Sequence, residues 1–308
     1  MSGRGADVVL PARSTLGVIG SGRVGRAVTA AVVTAGLVST VLVHSRRLVE
    51  SIALATDIAD LAATQHTPTR IDAVEQPRDL LSCATLVICV RARFANTHSE
   101  PRLGGLVANA PLITELARQL RGYTQPVIVV TNPVDLMTRL FAEHSTAPEA
   151  VVGVGSNLDS ARYRALVARF ASVSVTAVTG SVLGEHGASA TVCAHATRVA
   201  HHPIALPLDR IKQQLADRAE VIAAGIDRTQ HGPADAVLAT VTKLLGHADG
   251  YEELSVAVPS GVHLGQRLCF AGGHWWHDPP ELAATEQQSL AQAETKLAAL
   301  YEKLDTHL

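Results

Sequence analysis

The sequence predicts an α/β chain in which a doubly wound parallel sheet is followed by a smaller α+β half. Three observations carry this. Short apolar runs at residues 15–19, 40–43, 86–90, 127–131 and 151–153 alternate with helical stretches, as parallel strands buried on both faces do. The first run leads straight into Gly20-Ser21-Gly22-Arg23-Val24-Gly25, which opens a helix. After residue 170 the pattern changes: residues 173–178 alternate with period two, as does part of 188–194, which marks an antiparallel region. The expected organisation is a loose tail over 1–14, a Rossmann-type dinucleotide-binding unit over 15–154 and a catalytic α+β unit over 155–308.

Taken in order, residues 24–35 read as a buried helix stopped at Gly36, and 51–63 as the next helix. The polar, glycine-containing stretch 91–105 reads as a mobile loop, followed by a helix over 111–120. The strand at 127–131 ends in Thr131-Asn132-Pro133-Val134-Asp135. Gly153-Val154-Gly155-Ser156-Asn157 then turns into a helix over 159–170. Helices over 208–224 and 233–245, a strand over 253–258 and a final helix over 281–304 complete the chain. That last helix carries Leu282, Leu290, Ala293, Leu297, Leu300 and Leu304 as one stripe.

Composition narrows the function classes. The 308 residues are 47% hydrophobic, enough for a sizeable core. A net charge of −2 gives no general attraction to nucleic acid or to an anionic membrane. Cys83, Cys89, Cys193 and Cys269 are scattered and form no CxxC pair, as expected of a reduced, cytoplasmic protein. Neither a signal peptide nor an apolar run of about 20 residues is evident. His274-Trp275-Trp276-His277-Asp278 crowd a loop before two prolines; a packed tryptophan corner or subunit contact is expected there, and no metal site.

The glycine-rich stretch is the first functional feature. Gly20 permits a tight turn, Gly22 lets a pyrophosphate approach the backbone, and Gly25 lets helix and strand pack closely. Arg23 and Val24 begin the helix whose N-terminus faces the phosphates. At the end of the second strand, where an acid normally holds the adenosine ribose of NAD, stand His44, Ser45, Arg46 and Arg47. Two guanidiniums and a hydroxyl suit a 2′-phosphate, so NADP(H) is favoured over NAD(H); a solvated basic turn is the plainer alternative, and Glu50 lies close by. In the mid-chain helix, Asp159 and Arg162 are three residues apart and share a face.

Four motifs in register, the glycine-rich loop, Thr131-Asn132-Pro133-Val134-Asp135, Leu158-Asp159-Ser160-Ala161-Arg162-Tyr163-Arg164 and Gly184-Glu185-His186-Gly187, resemble the L-lactate/malate dehydrogenase family over nearly the whole chain, closer to the lactate branch. The resemblance implies a hydride-transferring oxidoreductase acting on an L-2-hydroxy acid/2-oxo acid pair. It implies that His186 exchanges a proton with the substrate oxygen, that Asp159 orients His186, and that Arg162 grips the substrate carboxylate with two parallel hydrogen bonds. Asn132 would hold the substrate carbonyl region and the nicotinamide side, and Arg102 would close over the carbonyl with its loop. Asp159 and Arg162 then have separate duties and need not be partners. Family members are homodimers or homotetramers.

Departures from the family pattern locate the open question. Thr97 stands where lactate enzymes carry glutamine and malate enzymes arginine, which disfavours a second substrate carboxylate and leaves room for a larger side chain. Arg93-Phe94 replace a small Gly-Ala pair, and His231 replaces an aliphatic residue. Asp227 replaces a threonine beside the substrate side chain. Two readings of Asp227 stand: it pairs with Arg228, or it receives a hydroxyl, amino or guanidino group of a polar 2-oxo acid. The expected enzyme therefore takes a larger or polar side chain. Its alternatives are an ordinary lactate or malate dehydrogenase with a tolerant pocket, and an inactive cofactor-binding or regulatory protein.

Overall fold

The structure is a computed structural model that describes residues 14–94, 101–187 and 189–305. Its first half alternates β1 (Thr15–Ile19), α1 (Arg23–Ala35), β2 (Thr40–His44), α2 (Leu48–Gln65), β3 (Arg70–Val74), β4 (Thr85–Ile88), α3 (Pro101–Gln119), β5 (Val127–Val129), α4 (Val134–His144) and β6 (Val151–Val154). These six strands lie side by side in the order β3-β2-β1-β4-β5-β6, all parallel. This is the doubly wound sheet that the alternating pattern predicts.

The continuous apolar runs follow from burial on both faces. Within β1, Val18 points into one core cluster and Ile19 into the other. Val87 against Leu86 and Ile88, and Ile128 against Val127 and Val129, divide in the same way. Each such side chain, removed from water, stabilises the fold by about 1.5–3 kcal/mol. Helix α1 meets β1 closely through Gly25, where a Cβ would come within 1.8 Å of the Gly20 carbonyl oxygen.

The second half contributes α5 (Ser156–Ala171), β7 (Val178–Thr179), β8 (Val182–Gly184), β9 (Ala190–Val192), β10 (Arg198–Val199), β11 (His202–Pro203), α6 (Leu208–Ile226), α7 (His231–Leu244), β12 (Gly250–Ala257), β13 (His263–Ala271), β14 (His274–His277) and α8 (Ala284–Asp305). The large sheet continues into it: β12 runs antiparallel beside β6, with Leu254 opposite Val154, and β13, β8 and β9 follow. Helix α7 packs Val237 and Val241 into the same cluster as Val28 and Val32 of α1. The predicted stripe of α8, Ala293, Leu297, Leu300 and Leu304, is buried, while Leu282 precedes the helix. No helix among the described residues is long and apolar enough to cross a membrane.

Several local expectations are corrected. Residues 173–178 do not form a strand: Ser174 caps the N–H of Thr176 and the chain makes a short 3-10 turn, leaving only Val178–Thr179 paired. Hydroxyl side chains competing for the backbone override the period-two pattern here. The loop expected through Gly105 ends earlier, because α3 already begins at Pro101 and carries Pro111 inside it. The His274-Trp275-Trp276-His277 segment is a strand, not a loop, and Trp275 packs on Phe270 with ring centroids 6.0 Å apart. Strands β3 and β13 escaped notice because glycine and polar residues interrupt their apolar character.

His263 begins β13, faces Arg139 and Glu143 of α4, and is 6% exposed. Burial pushes its pKa down from 6.5 to about 4. Between these values the unfolded chain binds a proton that the folded chain refuses, so stability falls as pH drops from 6.5 to about 4. Denaturant titrations across this range should show the native protein losing up to about 3 kcal/mol relative to His263→Gln. Parallel pH profiles would overturn the assignment.

Candidate active site

Three sheet ends and the helices that follow them assemble the site. At the first, the N-terminus of α1 has no side-chain cap and no acid in its first turn. A Cβ placed on Gly22 would meet nothing within 4 Å. Unsatisfied N–H groups beside open space fit an anionic pyrophosphate, so the glycine-rich loop suits the dinucleotide that the sequence implies. Arg23, however, reaches away: its guanidinium donates to the Ile226 carbonyl at 2.7 Å and lies 3.5 Å from the Asp227 carboxylate.

At the second strand end, His44 is 8% exposed and burial lowers its pKa, so it is a poor cation for a phosphate. Ser45 donates to the Arg47 carbonyl at 2.9 Å and sits 2.9 Å from Ser51, which ties its hydroxyl into the start of α2. Arg47 pairs with Glu50. Arg46 acts on Glu50 through its charge without a hydrogen bond to it.

The third group is the catalytic candidate. Gly155 precedes α5, and Asp159 lies in its first turn. Asp159 Oδ2 is 2.7 Å from His186 Nδ1, and its Oδ1 accepts a hydrogen bond from Arg162 at 3.2 Å. The acid and the arginine that were assigned separate duties are therefore partners: the three-residue helical spacing brings them together. Nor is this a surface pair, since the side chains are 13% and 15% exposed. Burial alone would raise the Asp159 pKa, but His186 and Arg162 together hold the carboxyl below its usual range.

Asn132 follows β5, and its side-chain oxygen accepts from the Val134 N–H at 3.3 Å. Its carbonyl accepts from Asn109 at 2.8 Å, and Asn109 in turn receives the Ala92 N–H at 2.8 Å. One amide thus ties the end of β4 to the end of β5. Asp227 ends α6 at φ 68°, is 64% exposed, and lies 3.6 Å from Arg228 as well as near Arg23. Of its two readings, the geometry shows the ion pair. His231 is the first residue of α7. Thr97 and the side chain of Arg102, in the first turn of α3, lie outside the described residues.

Sequence reasoning missed the supports of this trio. Asp135, fully buried, accepts the backbone N–H of His186 at 2.9 Å. It stood in a quoted motif without a role. Gly155 looked like a turn residue, yet its importance is space: a Cβ there would lie 2.6 Å from His186 Cγ. Two adjacent acids on β12 grip α5 from opposite sides. Glu252 binds Asn157 at 2.9 Å and Lys243 at 2.7 Å. Glu253 binds Ser181 at 2.6 Å and lies 3.7 Å from Arg164. Consecutive acids inside an apolar strand were the available signal. Among the described residues no group of three histidines, cysteines or acids is arranged to hold a metal ion.

Comparison with known proteins places this geometry. Over 307 aligned residues the chain is 33% identical to the L-lactate dehydrogenase of Deinococcus radiodurans, covering 94% of this chain and 99% of that one. The chain belongs to the lactate/malate dehydrogenase family. Residues 14–153 match the family's model described as lactate/malate dehydrogenase, NAD binding domain. A malate dehydrogenase of Halobacterium salinarum is 30% identical over 237 residues, 71% of this chain and 76% of that one. The crystal structure of a lactate dehydrogenase from a Medee basin deep-sea metagenome library shares the fold at a TM-score of 0.88 and 21% identity, covering 95% and 99% of the two chains.

The space at Gly155 makes a direct prediction. Gly155→Ala should push the His186 ring off Asp159 and lower turnover of a 2-oxo acid by about 100-fold, with the fold intact by circular dichroism. Unchanged turnover would show that the ring does not depend on this contact.

Proposed function

We propose that the chain is a nicotinamide-dependent oxidoreductase interconverting an L-2-hydroxy acid and its 2-oxo acid. The observation that carries this is the Asp159 carboxylate bonded at once to His186 and Arg162. A carboxylate can only accept, so His186 donates from Nδ1, and Nε2 is the nitrogen turned to proton exchange with the substrate oxygen. Asp159 stabilises the imidazolium that forms during oxidation of the alcohol. Arg162 offers its remaining donors to the substrate carboxylate, and Arg102 polarises the carbonyl from α3. When bound, the nicotinamide cofactor supplies or accepts the hydride.

Retention of this set favours an enzyme over an inactive binding protein. The free cysteines among the described residues support a reducing, cytoplasmic setting, and the family supports a homodimer or homotetramer. For the cofactor, the structure leaves Arg46 open to a 2′-phosphate but engages Arg47 with Glu50, which supports use of both NAD(H) and NADP(H) rather than a strong preference for NADP(H). For the substrate, the changes at Thr97 and Asp227 support a larger or polar side chain. Among the described residues the Asp227 carboxylate is held by exposed ion pairs, which contribute little net free energy and yield to a donor on the substrate.

His186→Asn should lower turnover by about 10³-fold while NADH and NADPH affinities stay within about twofold. Near-normal rates in this variant would sink the mechanism. Against a panel of pyruvate, oxaloacetate and branched or polar 2-oxo acids, the native enzyme should turn over a polar or branched acid faster than pyruvate, and Asp227→Ala should remove that advantage. Fast pyruvate turnover, unchanged by the substitution, would assign an ordinary lactate dehydrogenase.

A further inference from the structure

The end of β2 lacks the acid that ordinarily reads the adenosine ribose, yet an acid occupies the same corner from another direction. Glu50, in the first turn of α2, extends its carboxylate back to the glycine-rich loop. Ser21 of that loop donates to it at 3.4 Å, and Arg47 Nε donates to it at 2.8 Å. The Gly20 N–H donates to the His44 carbonyl at 2.8 Å, so the loop and the end of β2 are fastened side by side. In folds of this type the adenosine ribose lies between these two segments.

We infer that Glu50 sets the choice of cofactor: it replaces the missing strand-end acid as acceptor for the ribose hydroxyls, and it withholds Arg47 from a 2′-phosphate. The inference rests on the reading above that the chain binds a nicotinamide dinucleotide. The Arg47 hydrogen bond holds the Glu50 carboxyl below its usual range, so the group is an anion at neutral pH. The 2′- and 3′-hydroxyls of NADH donate to that anion without disturbing the Arg47 pair. A 2′-phosphate brings a second anion to the same corner. It must draw Arg47 away and add Arg46, leaving the Glu50 charge opposed to it. The pair is exposed, 71% for Arg47 and 37% for Glu50, so a ligand can rearrange it at low cost. One surface carboxylate therefore tunes a site that holds either cofactor.

Direct titration of NADH and NADPH, followed by protein fluorescence, tests this without reference to catalysis. Glu50→Gln should weaken NADH about tenfold and tighten NADPH several-fold, and Glu50→Ala should shift the ratio in the same direction. Arg46→Ala should weaken NADPH about tenfold and leave NADH within about twofold. Thermal melting checks that the variants stay folded. A ratio of the two affinities within about twofold of wild type in both Glu50 variants overturns the role of Glu50 alone. Failure of the native protein to bind either nucleotide overturns the dinucleotide reading and this inference with it.

Discussion

Everything at the site depends on one buried carboxylate. Asp159 would be costly to bury alone, and it remains ionised because His186 and Arg162 approach it from two sides. The arrangement has a consequence for charge. At rest, Asp159 and Arg162 offset one another.

Holding that carboxylate in place takes much of the second half of the chain. Glu252 and Glu253, adjacent on β12 and therefore on opposite faces of the strand, bind α5 through Asn157 on one side and through Arg164 on the other. Asp135 fixes the His186 backbone from α4, and Gly155 leaves the space that the imidazole fills. These groups hold two functional side chains at hydrogen-bond distance by anchoring the elements that carry them.

The cofactor side is held more loosely. Arg23 belongs to the glycine-rich loop but spends its guanidinium on the end of α6, at Ile226 and Asp227. The glycine-rich loop and the end of α6 are therefore linked by one exposed side chain. The largely buried trio belongs to the motifs shared with the family, whereas Asp227, Arg46 and Arg47, all exposed, stand where this chain departs from its pattern.

The sequence by itself determined five of the six strands of the parallel sheet, because strands buried on both faces must be apolar throughout, and runs such as 15–19 and 127–131 have few other uses; β3, with Arg70 and Asp72 in it, escaped that rule. It also singled out Asp159, Arg162 and His186 as candidates, because the motifs that resemble the family are short and local. Tertiary structure alone decided who partners whom. That His186 meets Asp159, that Asp135 supports His186 and that Glu252 and Glu253 flank α5 depends on contacts across 27 to 95 residues of chain. The 173–178 turn failed for a related reason: hydroxyl groups compete for the backbone with a strength that alternation does not record. Periodicity reports which face is buried; only packing reports what the buried face meets.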